Sequence, residues 1–548
     1  MKIKHILIAG SLVFGSLSMT SCADYLELQP TNAQTSDTFF RSSTEARQAL
    51  VGVYEKLRSD YNGAPNSTPM FDMAMGDDAY VGGSPDGNDM AYFQQMSKFQ
   101  AQTNNEAGQA AWNKCYGGIQ RANTLLANYD NIDFTSNESD IKDQYKGEAT
   151  FLRAHYYFEL VRLFENIPVF TTVLTGDEWK SIEQSTVDNT YATIAKDIMD
   201  AIPLMATAIP EGEEGRLNQF AAKAELVKIF MFYTGVYNKS ELPVLGGTAI
   251  SKSDIISIAD DVIANSGTTL ATNYVDLFNQ SGNYNNEVLF EIPFANTGSG
   301  DWGDYSYGNI LAQMSGPRSH SSTLLADGWG FMSPSRELET SFEANDLRKS
   351  GTIVYAKELI DLQGDVYVAN YNFTSMHSRK YTTHAWNLAS NEPALNWAQN
   401  YHYIRLADIL LLAAELNLTS DAGKAEGYFN QVRSRAGLAS KSQITLDDIK
   451  LERRVELALE GHRYFDVLRW SNGQMSNVSS ELDVTNYVLT PPTDNNPSYI
   501  NDNGDNFTGD IGTAETYNRT FDVEKRGFLP IPQVEVDLHS MLKQNAGY

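Results

Sequence analysis

The stretch from Ala149 to Phe164 constrains this chain most. Wound as a helix, it is apolar around most of its circumference, and such a helix has to be covered on every side. It therefore demands other helices packed around it. Asn166-Ile167-Pro168 ends it, because the residue before a proline is pushed out of the helical region. Helical spacing recurs on both sides of this segment, at 105–128, 141–166, 188–207, 217–237 and 252–265, and again at 401–417, 421–436 and 445–469. Pairing 105–128 with 141–166, 188–207 with 217–237, and 401–417 with 421–436 yields hairpins near the size of tetratricopeptide-like units of about 34 residues. The expected fold is mainly α, a tetratricopeptide-like helical-hairpin scaffold with a loop-rich lobe containing a few short strands.

Local signals sharpen this outline. Ser42 with Glu45 three residues on, and Thr445 with Asp448, read as capping boxes. Ile444 is placed to staple onto Ile449. The small side chains of Ala221, Ala222 and Ala224 let a partner helix approach closely. Residues 61–95 are turn-rich and weakly periodic, and 285–400 break the helical pattern. Glu287 to Phe294 reads as a strand that Pro293 confines to an edge. Ile353–Tyr355, Val366–Val368 and Lys380–Thr383 read as extended.

The N-terminus carries an address. Lys2 and Lys4 precede an apolar run from Ile6 to Leu17 that is too short and too interrupted by Gly and Ser to span a membrane well. Met19-Thr20-Ser21-Cys22 follows and resembles a bacterial lipobox, so residues 1–21 read as a signal peptide and Cys22 as the acylated N-terminus of the mature chain. Acyl chains hold by burying CH₂ groups worth about 0.8 kcal/mol each. The remaining cysteine, Cys115, sits among aromatics and reads as a buried structural thiol. A net charge of −28 over 548 residues argues against nucleic acid as a partner.

The sequence carries none of the common catalytic signatures. The eight histidines include no i, i+4 helical pair, and neither a nucleophile elbow nor a Walker A loop occurs. Gly298-x-Gly300-x-x-Gly303 has no helix after it to hold a phosphate, so a dinucleotide site is rejected. No metal or cofactor is expected; the Asp-rich loops at 86–89 and 501–510, the candidates for Ca²⁺, lack EF-hand spacing and read better as solvated loops. A glycosidase needs two carboxylates flanking a sugar, and nothing among the 69 acidic residues singles out a pair.

Sugars present C–H faces that stack on aromatic rings and hydroxyls that need planar polar partners. Asp301-Trp302-Gly303-Asp304-Tyr305-Ser306-Tyr307 answers that description best. Asp327-Gly328-Trp329-Gly330 comes next, since a Trp between two glycines has little local reason to be buried. Trp112 and Trp470 fall in helical blocks and read as core, while Trp386 and Trp397 are undecided.

Several blocks, in order along the chain, resemble the SusD/RagB family. They are Cys22-Ala23-Asp24-Tyr25-Leu26-Glu27; Gly147-Glu148-Ala149-Thr150-Phe151-Leu152-Arg153-Ala154-His155-Tyr156-Tyr157-Phe158; Gly215-Arg216-Leu217; Tyr403-Ile404-Arg405-Leu406-Ala407-Asp408; and Val432-Arg433-Ser434-Arg435-Ala436-Gly437. The most specific is Glu452-Arg453-Arg454 with Glu456, running on to Glu460-Gly461-His462-Arg463-Tyr464-Phe465-Asp466 and Arg469-Trp470. Leu529-Pro530-Ile531-Pro532 and Gln544-Asn545-Ala546-Gly547-Tyr548 close the match. Asp408 stands where the family commonly has Glu, and Ala546 where it commonly has Pro. The resemblance implies a non-catalytic, lipid-anchored glycan-binding protein at the cell surface, on the outer membrane, serving a SusC-like TonB-dependent transporter. It implies one domain over 22–548, with an N-terminal part of about 22–235 and a C-terminal part of about 280–548. It also draws Asp78 and Tyr80, in Gly76-Asp77-Asp78-Ala79-Tyr80, into the candidate site. The expected ligand residues are thus Trp302, Trp329, Tyr80, Asp78, Tyr305 and Tyr307. A peptide-binding member of the same uptake system is the alternative. The charged residues Arg405, Asp408, Glu456, Glu460 and Arg463 recur at one-turn spacing on apolar helices and read as inter-helix ion networks, because buried charges must be paired.

Overall fold

The computed structural model describes residues 39–61, 63–84, 88–296, 308–363, 374–488, 498–500, 506–508 and 516–548. The expected leader, Cys22 and the extended stretch at 366–368 lie outside them. The chain begins with α1 (Ser43–Glu55), α2 (Thr68–Met75), β1 (Ala79–Gly82), α3 (Ala91–Ser97), α4 (Glu106–Asn128), α5 (Ser139–Phe164), α6 (Val187–Ala201), α7 (Gln219–Tyr237), β2 (Glu241–Leu242), β3 (Ile250–Ser251) and α8 (Lys252–Asn265). A lobe of short elements follows: β4 (Val288–Ile292), α9 (Ile310–Ser315), β5 (Phe331–Pro334), α10 (Arg336–Ser341), α11 (Arg348–Thr352), β6 (Ile353–Tyr355), α12 (Ala356–Gln363) and β7 (Met376–Ser378). The chain returns through β8 (Tyr401–Arg405), α13 (Leu406–Asn417), α14 (Ala422–Arg435), α15 (Leu446–Glu456), α16 (Arg463–Trp470), α17 (Met475–Leu482), β9 (Val484–Val488), β10 (Ser498–Ile500), β11 (Asn506–Thr508), β12 (Thr516–Arg519) and α18 (Gln533–Leu538).

The helices stack in sequence. α4 packs on α5, α5 on α6, α6 on α7, α7 on α8, and α8 on α13, which pairs with α14. The chain thus leaves the stack after α8, builds the lobe, and re-enters the same stack at α13. α5 is the axis, buried at every residue from Gly147 to Phe164, as its apolar circumference demands. Its polar side chains reach its neighbours. Arg153 forms a fork on Asp197 of α6, with Nε and Nη2 each 2.8 Å from a carboxylate oxygen. His155 Nδ1 lies 2.8 Å from Glu225 of α7. Gly235 of α7 meets α16 so closely that a Cβ there would lie 2.3 Å from the Arg469 carbonyl oxygen. Both capping boxes form, and Ile444 and Ile449 share one buried cluster.

Among the described residues every sheet is an antiparallel pair of strands: β1–β5, β2–β3, β4–β8, β6–β7, β9–β12 and β10–β11. Four expectations are corrected. Residues 401–405 are not the first turn of a helix but β8, which pairs with β4 from Val288↔Arg405 to Ile292↔Tyr401. All five are buried, so no alternation betrays the strand, and its partner lies more than a hundred residues away. The helix expected over 445–469 is two, broken where Leu459 and Gly461 adopt positive φ of 61° and 85°. Residues 61–95 hold α2 and α3, the former opened by Pro69 at its first turn. The extended run near 380 falls instead at Met376–Ser378, paired with β6.

Buried ions tie scaffold to lobe, as the one-turn charge spacing anticipates. Arg405, 1% exposed, closes β8 and caps α13. Its Nε lies 2.7 Å from Glu460, and its Nη1 lies 2.5 Å from Glu287 and 3.0 Å from Glu456. Lys380 from the lobe reaches Glu460 at 2.6 Å, Arg435 of α14 reaches Glu287 at 3.0 Å and also Glu456, and Arg348 of α11 reaches Glu452 and Glu456 at 2.6 and 3.2 Å. A second cluster joins Arg453 to Asp408 and Asp466, both at 2.8 Å, and Arg469 to Asp466 and Glu415, both at 2.7 Å. Burial alone would raise the Glu460 carboxyl, but Arg405 and Lys380 outweigh it and hold its pKa down at about 2.

Removing one partner of such a pair leaves the others charged and uncompensated, at a cost of about 3–5 kcal/mol. Glu460→Ala is expected to lower the unfolding free energy at pH 7 by about that much, read by urea denaturation. Because the folded-state pKa is depressed, the wild-type contribution is present above the unfolded value of about 4.3 and is lost as pH falls toward 2. The gap between wild type and variant should therefore close in acid; an equal gap at pH 7 and pH 2.5 would contradict the assignment.

Candidate functional site

Two segments far apart in sequence meet at the lobe. β1 and β5 pair in the register Ala79↔Pro334, Tyr80↔Ser333 and Gly82↔Phe331. The crossing beyond them needs glycine. Gly82 has φ of 71°, and a Cβ on it would lie 2.4 Å from the Gly330 carbonyl oxygen, to which the Gly83 N–H donates at 3.0 Å. Trp329 immediately precedes Gly330 at this crossing. Its N–H donates to the Gln313 carbonyl of α9 at 2.9 Å, while the neighbouring Gly328 and Gly330 N–H groups donate to Pro317 and Gly316 at 2.6 and 2.8 Å. Trp329 is therefore held by backbone bonds on both sides, and its indole is half-buried against the core.

Beside it lies a planar cation. One nitrogen of Arg318, Nη1, donates at 3.0 Å both to Asp89 in the early segment and to the Trp329 carbonyl. Both side chains of this ion pair remain about a third exposed, at 28% and 33%. The ion pair is bonded to the Trp329 backbone, so a partly buried indole and a set of directional donors and acceptors arise from one stretch of the lobe. Trp386, 39% exposed, adds a second ring on the same lobe. It stacks on His384 with ring centroids 5.5 Å apart, and this turn is tied to 324–326 by bonds from Ala385 N–H to Leu324 O and from Ala326 N–H to Thr383 O. Trp397 is fully buried against Ala312 and Ala326, its indole N–H donating to the Gln313 side chain at 2.9 Å. Gln313 therefore steadies Trp329 through its backbone and Trp397 through its amide.

The other expected site residues divide. Trp302, Tyr305 and Tyr307 lie outside the described residues; the chain on either side of that segment is fastened to one strip of the lobe, Phe294 N–H to the Asn400 side chain at 2.9 Å and Gly308 N–H to Leu395 O at 3.1 Å. Tyr80 comes within the same β1–β5 unit as Trp329 but is only 7% exposed, stacked on Tyr487 at 6.3 Å and set edge-on to Tyr517 at 5.0 Å. Asp78 is 2% exposed and takes the Arg454 Nε at 2.7 Å. Its neighbour Asp77 takes Arg463 at 2.6 Å and Arg454 at 2.9 Å. Burial raises the Asp78 carboxyl, whereas at Asp77 the two guanidiniums outweigh burial and hold the carboxyl well below the usual range. These acids anchor the early segment to α15 and α16. Of the undecided tryptophans, Trp386 is exposed and Trp397 is core; Trp112 is buried as expected, and Trp470 is half-buried under Arg469 and Lys450. The expected thiol burial at Cys115 is observed, and burial pushes its pKa to about 12.

Sequence reasoning missed Arg318 and treated Asp89 only as part of an Asp-rich loop. No local signal joins them, since they are 229 positions apart. Asp89 spends its carboxylate on Arg318, and among the described residues no cluster of His, Cys, Asp and Glu is arranged to hold a metal. No described helix is long and apolar enough to cross a membrane.

Behind the Asp77–Asp78 anchor lies Asp72, 1% exposed, which accepts the Tyr464 N–H at 2.7 Å. Burial raises its pKa to about 8, the Tyr464 bond offsetting only part of the effect. A carboxyl protonated in the folded state and ionised in the unfolded one makes stability fall as pH rises from about 4 to 8. Asp72→Asn keeps the acceptor and should flatten that decline, so the variant gains on wild type progressively up to pH 8 in denaturation series. A gain that is the same at pH 5 and pH 8 would rule out a protonated Asp72.

The family description "SusD family" matches residues 357–548, and "Starch-binding associating with outer membrane" matches residues 24–231. A SusD-like protein, P25, of Formosa agariphila is 27% identical over 91% of this chain and 95% of its own length. A SusD-like protein of Bacteroides ovatus is 26% identical over 86% of this chain and 83% of its own. Among solved structures, a laminarin binding SusD-like protein superposes with a TM-score of 0.77 at 28% identity, covering 93% of this chain and all of that one. Surface glycan-binding protein A from Bacteroides uniformis does so with 0.72 at 26%, covering 92% and 99%. The same-named protein from Bacteroides thetaiotaomicron, in complex with laminarihexaose, shares the fold with a TM-score of 0.76 at 23% identity, covering 92% and 99%. With both family descriptions matched in chain order and relatives aligned over nearly its whole length, this chain belongs to the SusD/RagB family.

Proposed function

We propose that this chain captures a glycan at the cell surface without transforming it. The observation that carries this is the partly buried Trp329, whose backbone carbonyl is held by the part-exposed Arg318–Asp89 pair. A sugar ring lays its C–H face on the indole, and its hydroxyls exchange hydrogen bonds with the guanidinium and carboxylate. Trp386 extends the same platform, and Trp302, Tyr305 and Tyr307 complete it from the segment leading into α9. Tyr80 and Asp78 act from beneath, setting the strand and the ion pairs that position it. The glycan-binding relatives, one of them named for laminarin, support a β-glucan as the first ligand to try.

Acylation at Cys22 anchors the protein on the outer membrane, consistent with the family description. The N-terminal part, about 22–235, and the C-terminal part, about 280–548, act as one glycan-binding domain, and the packing of α8 between α7 and α13 supports this. The captured glycan passes to a SusC-like TonB-dependent transporter, which supplies the energy for uptake.

The test is retardation of residues 23–548 in native gels containing laminarin, starch and other polysaccharides. One glycan should retard the chain, and Trp329→Ala, alone and with Trp302→Ala, should weaken binding about tenfold or more, as loss of a buried aromatic anchor does. Retardation unchanged in the double variant would remove the aromatic site. Binding to peptides and to no glycan would transfer the chain to peptide uptake.

A further inference from the structure

A second aromatic site lies away from the lobe, on α4. Trp112, Tyr116 and Gln120 stand four residues apart and so share one face of that helix. The adjoining face, with Ala111, Cys115, Ile119 and Ala122, is core, and Trp112 itself is buried at its edge. Phe164 at the end of α5 backs Trp112 edge-on at 5.2 Å. Beside it the segment from Pro168 to Ile182 and the C-terminal residues Glu535, His539 and Leu542 wall a groove of about 340 Å³. That volume lies at the small end of the range of about 300–1,000 Å³ for small-molecule sites, and the groove shares no residue with the lobe.

Its walls are aromatic. Tyr116 and Phe170 lie nearly parallel, 5.9 Å apart and 11° from coplanar, with the Tyr116 hydroxyl donating to the Pro168 carbonyl. Trp112 backs them at 4.8 Å from Tyr116. Trp179, half-exposed, faces His539 edge-on at 6.1 Å. Polar groups converge on the same space. Among the described residues the Gln120 amide has no hydrogen-bond partner. Glu535 takes one bond, from Gln109 at 3.1 Å, and keeps a carboxylate oxygen to spare. His539 is only 5% exposed, yet neither ring nitrogen makes a hydrogen bond within ordinary limits, although the Trp179 backbone lies close. A buried imidazole left so is costly, and a ligand hydroxyl in the groove would relieve it.

We propose that this groove is a second saccharide-binding site, independent of the lobe. Flat aromatic walls with an amide, a carboxylate and an imidazole around them suit a neutral sugar, whose ring faces are apolar and whose hydroxyls both donate and accept. A purely apolar ligand would leave those three groups unmet, and an anion would meet the Glu535 carboxylate. The choice of ligand class rests on the glycan-capture reading; the groove itself does not. A chain with two sites can hold one long glycan at two points and gain avidity without any new contact.

Calorimetric titration of residues 23–548 with laminarihexaose, cellohexaose and maltohexaose tests it, with Trp329→Ala and Trp179→Ala/Gln120→Ala as variants. Two binding events are expected for one hexasaccharide. Trp329→Ala should leave one of them, and the groove variant should weaken that one at least tenfold while leaving the other. A single event abolished in Trp329→Ala and untouched in the groove variant overturns the second site and leaves glycan capture standing. A single event with the reverse dependence supports the groove and removes the lobe. No heat with any hexasaccharide, and no retardation by any polysaccharide, overturns both.

Discussion

The Arg405 guanidinium is the interaction on which the rest of the molecule depends. Glu287 stands where the chain enters the lobe, Arg405 where it leaves, Glu456 ends α15, and Glu460 lies in the break between α15 and α16. Arg348 and Lys380 bring the middle of the lobe to the same point. Each ion here is removed from water, and the penalty is offset only if every partner is in place. The network is therefore all-or-none. It ties the start of the excursion from the helical stack, its middle and its return to one buried point.

The lobe is then fixed at a finer scale by backbone rather than charge. Gly82 passes Gly330, and Gly328 passes Gly316, at distances no side chain permits. Gln313 and Arg318 hold the resulting loops from beneath and from the side. A surface presented in this way loses little freedom when a ligand arrives, and most of its contact energy can appear as affinity. Anchoring the early segment through Asp77 and Asp78 to Arg463 and Arg454 serves the same end. Those acids stand in the region the family resemblance marks for ligand contacts, but in this chain their carboxylates are spent on holding the platform.

Much of the scaffold was legible because its signals are local. The α5 circumference, the caps at Ser42 and Thr445, the staple at Ile444 and the one-turn spacing of charges each sit within a few residues of their effect. The misreadings at 401–405 and 457–462 share a cause. Both segments are fully buried, so the strand shows no inside–outside alternation and only Gly461 marks the break within a continuous helical pattern. β8 exists because β4 lies beside it, and the break because Gly461 must pass the Tyr401 hydroxyl, which a Cβ would approach to 2.8 Å.

The sequence by itself determined the helical hairpins, the need for buried ion pairs, the candidacy of Trp329 and the family. Those follow from periodicity, charge in apolar surroundings and short motifs, all readable in one dimension. Only the tertiary structure decided that Trp329 keeps company with Arg318 and Asp89, that Tyr80 and Asp78 are packed under the site, and that α4 carries a second aromatic groove. Each of these depends on which side chains are covered, and coverage is set by segments brought together from hundreds of residues apart.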